Sequence, residues 1–323
     1  MTLRSANSCM FIGLPESGKS SFIGALWHVV LTGELNPSFL VTVQPSDRTY
    51  LNQLRSNFVN CVANDRTKLE GMKKIELNIK SAKTGAAVDF VFPDLDGEMY
   101  SSQFEYRQLT KEYAEGVASC QSLMLFINPD RIKKPYLIVQ AQAIVANFDQ
   151  MVLPVVQVDT TDNKNLNDQK ENKSMTGLSS SAIDKDFEDS NEKEWIPKIS
   201  QTQVILVDLL QMVFGRVQKP CKIGIIISAW DLIKSSADRA LANITPDAWL
   251  QAHLPLLYQY LQTKVDVLPF KIFGVSAQGG EYSKAFNGNL GLQQKMLPSE
   301  RLIVQIDTDI SNDITVPLAW LFE

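Results

Sequence analysis

The chain has 323 residues, 45% of them hydrophobic and 21% charged, with a formal net charge of −5. That is apolar material enough for a large core, in the ordinary balance of a water-soluble globular fold. The negative balance supplies no broad positive field, which argues against nucleic acid and anionic lipid as partners. Four cysteines, Cys9, Cys61, Cys120 and Cys221, lie far apart without C-x-x-C or metal-ligand spacing and read as reduced thiols. No signal-peptide core, membrane-length apolar run, myristoylation pattern or prenylation box is present. The expectation is a cytoplasmic protein with no membrane anchor.

In chain order, the apolar run at 9–12 (CMFI) suits a buried first strand. Residues 13–20 then read GLPESGKS, which fits G-x-x-x-x-G-K-[ST] with Gly13, Gly18, Lys19 and Ser20 in the fixed places. Ile23, Leu26, Trp27 and Val30 follow at helical spacing, predicting a helix over about 18–32. Strand, glycine loop and helix are the arrangement that lets backbone N–H groups and a helix N-terminus wrap phosphates. Glu16, Ser17, Gly18 and Ser21 belong to this cradle. Lys19 would reach the β- and γ-phosphates, and the Ser20 hydroxyl would bind Mg²⁺.

Further strand-like runs lie at 38–44, 75–80, 88–92, 122–128, 222–228 and 268–275. Helical patterns fall at about 46–62, 102–118, 134–152, 200–217 and 247–263. This alternation predicts an α/β fold, a mostly parallel sheet with helices on both faces. The run at 88–92 ends in D-x-x-G, as Asp94-Leu95-Asp96-Gly97. An acid there can hold Mg²⁺ through a water, and a glycine just after can offer its N–H to a γ-phosphate and act as a hinge. Between 159 and 194 the chain carries ten acids and five lysines among clustered Asn and Ser. Such a stretch cannot bury enough apolar surface to offset its ordering entropy. It reads as a disordered acidic insertion at about 157–198, either a plain spacer or a partner-binding segment. The buried run 222–227 leads to Ser228-Ala229-Trp230-Asp231. A carboxylate at 231 can accept from the N1 and exocyclic N2 donors of guanine, which adenine lacks. The run ending at 276 supplies Ser276, Ala277 and Gln278, whose backbone can meet the guanine O6. Residues 314–323 predict a short closing helix. His28 and His253 have no triad or metal-ligand partner in the sequence and read as packing or surface histidines.

The segments GLPESGKS, DLDG, SAWD and SAQ, in this order, resemble a Ras-like small GTPase of the TRAFAC class. The stretches FIGALWH (22–28) and FPDLDGE (92–98) resemble the bacterial double-GTPase group most closely. The resemblance covers nearly the whole chain outside 157–198. It implies a P-loop GTPase, a single G domain over 1–323 with an insertion at about 33–66, using GTP/GDP and Mg²⁺. It also implies a protein partner, whether an effector, a GTPase-activating protein or a second GTPase, in a bacterial conflict or signalling setting. The resemblance further asks for a switch threonine before the strand at 75–80, which points to Thr67. Arg66 is then a candidate cis arginine finger, or an exposed loop arginine; Arg107 is a second candidate, or a surface ion-pair partner.

Two departures stand out. The family's N-K-x-D reads S-A-W-D here, so Ala229 replaces the lysine that packs over the base, and Trp230 or another aromatic is left to stack. Glu98 follows D-x-x-G where Ras-like enzymes carry a water-orienting glutamine. A carboxylate beside a γ-phosphate meets like-charge repulsion, so slow intrinsic hydrolysis is expected, with a nucleotide-binding protein that never hydrolyses, or an ATP-binding P-loop protein, as the alternatives.

Overall fold

The computed structural model describes residues 7–45, 47–64, 73–85, 87–94, 97–134, 200–282, 291–293, 295 and 297–322. These belong to one unit, Met1–Lys134 with Pro197–Glu323; the second unit, Pro135–Ile196, lies outside the described residues. The helix expected at 134–152 and the acidic segment fall there too.

Five strands form the parallel centre of a nine-stranded sheet. They are β1 (Asn7–Ile12), β4 (Ala87–Asp94), β5 (Ser122–Ile127), β6 (Lys222–Ile227) and β7 (Phe270–Ser276). Their spatial order is β4-β1-β5-β6-β7, each parallel to the next. β2 (Phe39–Val43) and β3 (Lys73–Ser81) add an antiparallel pair on the β4 side. β8 (Ile303–Ile306) and β9 (Asp309–Ser311) add an antiparallel hairpin beyond β7.

Successive residues of the central strands enter opposite cores, as the pleat requires. Cys9, Phe11, Met124, Phe126 and Ile226 face one layer, built from α1 (Lys19–Thr32), α2 (Thr49–Val59) and α10 (Val316–Phe322). Met10, Ile12, Leu123, Leu125, Ile127 and Ile225 face the other. That layer holds α3 (Gly97–Tyr106), α4 (Lys111–Ser119), α5 (Thr202–Phe214), α6 (Trp230–Lys234), α8 (Pro246–His253) and α9 (Pro255–Gln262), with α7 (Arg239–Ala242) linking α6 to α8. Because both faces are covered, β1, β5 and β6 carry the continuous apolar runs Cys9–Ile12, Leu123–Ile127 and Ile223–Ile227.

The segment 33–66 contains the expected strand and helix, β2 and α2. α2 packs over α1, so that every residue of α1 from Phe22 to Val30 is buried. The two helices meet closely at Gly24, where a Cβ would stand 2.7 Å from the Leu54 carbonyl oxygen.

Three local features depart from the sequence reading. The pattern at 102–118 is two helices: Arg107 takes a left-handed backbone (φ 54) that ends α3. Thr110 then caps α4 by accepting from the Tyr113 N–H (3.2 Å). The pattern at 247–263 also divides, because Pro255 cannot continue α8 and instead starts α9. The β8–β9 hairpin was not anticipated; its turn places Asp307 at φ 50. All four cysteines are buried thiols, with no disulfide among them. Among the described residues no helix is long and apolar enough to cross a membrane.

Gly24→Ala should lower stability by about 1–3 kcal/mol through overpacking at the α1–α2 crossing. The check is the urea midpoint, and an unchanged midpoint would mean that the two helices can separate freely.

Candidate functional site

The carboxyl ends of parallel strands lie on one sheet edge, and the loops leaving β1, β5, β6 and β7 meet there. The loop after β1 is shaped by residues that tolerate little else. Gly18 has φ 94, and a Cβ on it would lie 2.8 Å from the Ser228 Cβ. A Cβ on Gly13 would lie 2.5 Å from Ser17 Oγ and 3.0 Å from the Phe126 carbonyl oxygen. Glu16 also holds a left-handed backbone, at φ 59. α1 starts directly after Gly18 with neither a side-chain cap nor an acidic residue in its first turn. Its first N–H groups, with the positive end of the helix dipole, therefore face an anion-sized task. Lys19 is only 8% exposed. Its ammonium donates to the carbonyls of Gly13 (2.6 Å) and Leu14 (3.2 Å) and to Ser17 Oγ (3.2 Å), lying along the loop. Its Nζ stands 5.4 Å from the ring centroid of Tyr100, whose hydroxyl donates to the Phe11 carbonyl. A phosphate fits these donors, since a glycine cradle, an oriented ammonium and an uncapped helix start converge on one place.

The second corner joins β6 to β7. The Ser276 hydroxyl donates to Asp231 Oδ1 (2.5 Å) and accepts from the Gly279 N–H (2.9 Å). That pair of bonds orients the Asp231 carboxylate and shapes the Ser276–Gly280 turn at once. Gln278 Nε2 donates to Ser21 Oγ (3.4 Å), tying this turn to the first turn of α1. Asn64 Nδ2 donates to the same hydroxyl (3.3 Å). Ser21 accepts from both amides, which leaves its own proton to donate.

The end of α2 is held from behind. Buried Arg301 donates to the carbonyl of Phe58 (2.6 Å) and to Cys61 Sγ (2.9 Å), next to the helix C-terminus. A Cβ at Gly279 would collide with the Arg301 carbonyl, so the Ser276–Gly280 turn rests on the same residue. Beneath it, Arg55 Nε donates to His28 Nδ1 (3.2 Å). Arginine is always the donor, so Nδ1 is unprotonated and His28 Nε2–H donates to Glu34 Oε1 (3.0 Å). Glu34 Oε2 accepts from Ser299 Oγ (2.7 Å) and the Ser299 N–H (3.2 Å). Burial pushes the His28 pKa down; the Glu34 contacts oppose this, while Arg55 and Arg301 add to it. His28 thus wires α1, α2 and the C-terminal turn together rather than acting on a ligand. His253 stacks on Trp249 (centroids 4.6 Å apart), also a packing role.

Gly13, Glu16, Ser17, Gly18, Lys19, Ser20 and Ser21 share the edge with Asp231, Ser276, Ala277 and Gln278. Asp94 is the last residue of β4 and Gly97 the first of α3, so D-x-x-G runs from the end of that strand to the start of that helix. The side chains of Asp94 and Glu98, and all of Arg66 and Thr67, lie outside the described residues. Arg107 pairs with Asp208 on α5 (2.6 Å), the surface ion-pair reading. Trp230 is not a stacking group. It is 0% exposed, its indole N–H donates to Gln305 Oε1 (2.8 Å), and it sits edge-on to Trp249. The left-handed turn at Ala229 (φ 48) sends it inward, where a Cβ at Gly274 would strike the indole. Sequence reasoning missed Asn64, Asn128, Arg131 and Arg301 around the site. None belongs to a motif, and only the distant partner of each reveals its place.

A sheet whose parallel strands bring a glycine phosphate loop, a D-x-x-G segment and an aspartate–serine corner to one edge defines a P-loop G domain. The Double-GTPase 1 family model matches residues 10–321, and the chain belongs to that family. No curated protein matches it. Among solved structures it is similar to the signal recognition particle receptor SRb-GTP/SRX complex of Chaetomium thermophilum. That match has 11% identity and a TM-score of 0.37, and covers 90% of this chain and 96% of that one. It is also similar to Methanosarcina barkeri Roco2 RocCORdC bound to GDP, at 11% identity and a TM-score of 0.30, over 90% of this chain. A third match is the bacterial selenocysteine-specific elongation factor EF-Sec, at 10% identity and a TM-score of 0.32, over 91% of this chain. The chain spans 48% of the Roco2 chain and 29% of the elongation factor.

His28 has a lowered folded pKa, so the unfolded chain binds more protons as pH falls below the ordinary value of 6.5. Stability should be full above that pH and fall from about pH 6.5 downward, by at most about 1.4 kcal/mol per unit for this one group. Urea midpoints from about pH 7.5 to about pH 5.5 test this. His28→Gln should flatten the slope, and an equal slope in both proteins would contradict the assignment.

Proposed function

We propose that this chain, read as one G domain over 1–323, is a GTP-binding switch that cleaves GTP slowly in the presence of Mg²⁺ and signals to a protein partner. The observation that carries guanine recognition is the Asp231 carboxylate held by the Ser276 hydroxyl at the carboxyl edge of the sheet. Two acceptor oxygens there suit the N1–H and N2–H donors of guanine and leave adenine unsatisfied. Ser276, Ala277 and Gln278 would line the base, Gly13 to Ser21 would bind the phosphates, and Lys19 would move its ammonium from loop carbonyls to phosphate oxygens. Ser20, Thr67 and Asp94 would hold Mg²⁺, which when bound neutralises phosphate charge. Gly97 would sense the γ-phosphate, and the loops around Thr67 and Gly97 would order or release with it. Arg66 would be the cis arginine. The partner is an effector, a GTPase-activating protein or a second GTPase; cytoplasmic location and a bacterial conflict or signalling role complete the reading.

A second reading, a nucleotide holder without hydrolysis, is favoured by Glu98 in place of glutamine. Single-turnover assays separate the two: the switch should cleave GTP at on the order of 10⁻⁴ to 10⁻² s⁻¹. No cleavage over many hours would favour the holder.

With Mg²⁺ present, GTP should bind more tightly than ATP. Asp231→Asn should weaken GTP about 10- to 100-fold and improve XTP, whose extra carbonyl matches the new amide donor. Equal ATP and GTP affinity, or an unchanged preference in the variant, would overturn the guanine assignment.

A further inference from the structure

Residue 16 is the non-glycine position of the phosphate loop with a left-handed backbone, φ 59. Glutamate disfavours that conformation; glycine adopts it freely. Strain of this kind persists only where surrounding groups enforce it. The enforcing groups come from the end of β5. Asn128 Nδ2 donates to the Glu16 carbonyl (2.9 Å), and Arg131 Nε pairs with Glu16 Oε2 (2.9 Å). The Asn128 amide is itself oriented, because its Oδ1 accepts from the Asp130 N–H (3.1 Å) and caps the 3-10 turn Pro129–Arg131. With the oxygen committed to Asp130, only the NH₂ group can face Glu16. The Glu16–Arg131 ion pair is largely exposed, with Arg131 60% accessible, so it is screened and weak. Ser228 buttresses the far end of the loop at Gly18, and its N–H donates to the Ile127 carbonyl (2.8 Å). Ala229 next to it has only a methyl side chain, with no side-chain donor to offer.

We propose that Asn128 is a positioning residue that locks the strained backbone of Glu16 and so presets the phosphate loop for its ligand. The lock turns loop order into affinity: a loop already in the binding conformation loses less entropy when phosphate arrives. Asn128 itself touches no ligand in this scheme. The proposal rests on the phosphate-loop reading of residues 13–20, not on the choice of guanine over adenine.

The test uses the full chain with Asn128→Ala, Asn128→Asp, Glu16→Gly, and Asn128→Ala combined with Glu16→Gly. The first readout is amide hydrogen exchange over residues 13–18 without nucleotide; the second is affinity for fluorescent GDP with Mg²⁺. Asn128→Ala and Asn128→Asp should each speed exchange in the loop and weaken GDP about 3- to 10-fold, with the urea midpoint unchanged. In the Glu16→Gly background the Asn128→Ala change should weaken GDP by less than about 2-fold, because glycine holds φ 59 without help. Unchanged loop exchange in Asn128→Ala would overturn the lock. So would an equal loss of affinity in both backgrounds, which would make Asn128 a direct ligand contact. If the unaltered chain binds neither GDP nor ATP, the nucleotide reading falls, and the exchange data still decide the lock.

Discussion

Burial of the apolar runs Cys9–Ile12, Leu123–Ile127 and Ile223–Ile227 is the constraint from which the rest of this molecule follows. These runs of β1, β5 and β6 carry apolar side chains to helices on both faces, so the polar groups of the site gather at the strand ends. Parallel pairing then sends every one of these strands out of the core on the same edge. Gly13, Asn128, Ser228 and Ser276 are brought together by this geometry although they come from distant parts of the chain. The polar contacts at that edge are short because the strands beneath them are 4.7–4.9 Å neighbours in a hydrogen-bonded sheet.

Contacts between those loops hold one another in order. Gly18 presses on Ser228, Asn128 holds Glu16, Ser276 holds Asp231, and Gln278 reaches Ser21. The glycine loop after β1 and the Asp231–Ser276 corner are thus joined through protein contacts.

The segment between α1 and β3 is built into the core. α2 lies over α1, Arg55 and His28 connect the two, and Arg301 closes the end of α2 from the C-terminal side of the chain. The stretch that carries Arg66 and Thr67 begins a few residues beyond that closure. Asn64, the last described residue before that stretch, donates to Ser21.

The local sequence by itself determined the strand–loop–helix unit at residues 9–32, the order of the site segments and the α/β class, because each depends on neighbours in the chain. Glycine at 13 and 18, the strand-ending acids and the apolar runs are local signals with local causes. It also located the strand and helix between α1 and β3. Only the tertiary structure decided the fate of Trp230, which reads as a base-stacking aromatic but turns inward at Ala229 into the space left by Gly274. The same holds for Arg301, Asn128 and the His28 network, whose partners lie 240, 112 and 27 residues away, and for the β8–β9 hairpin that completes the sheet. A side chain's partner across such distances is chosen by packing of the whole core, and no pattern along the chain encodes it.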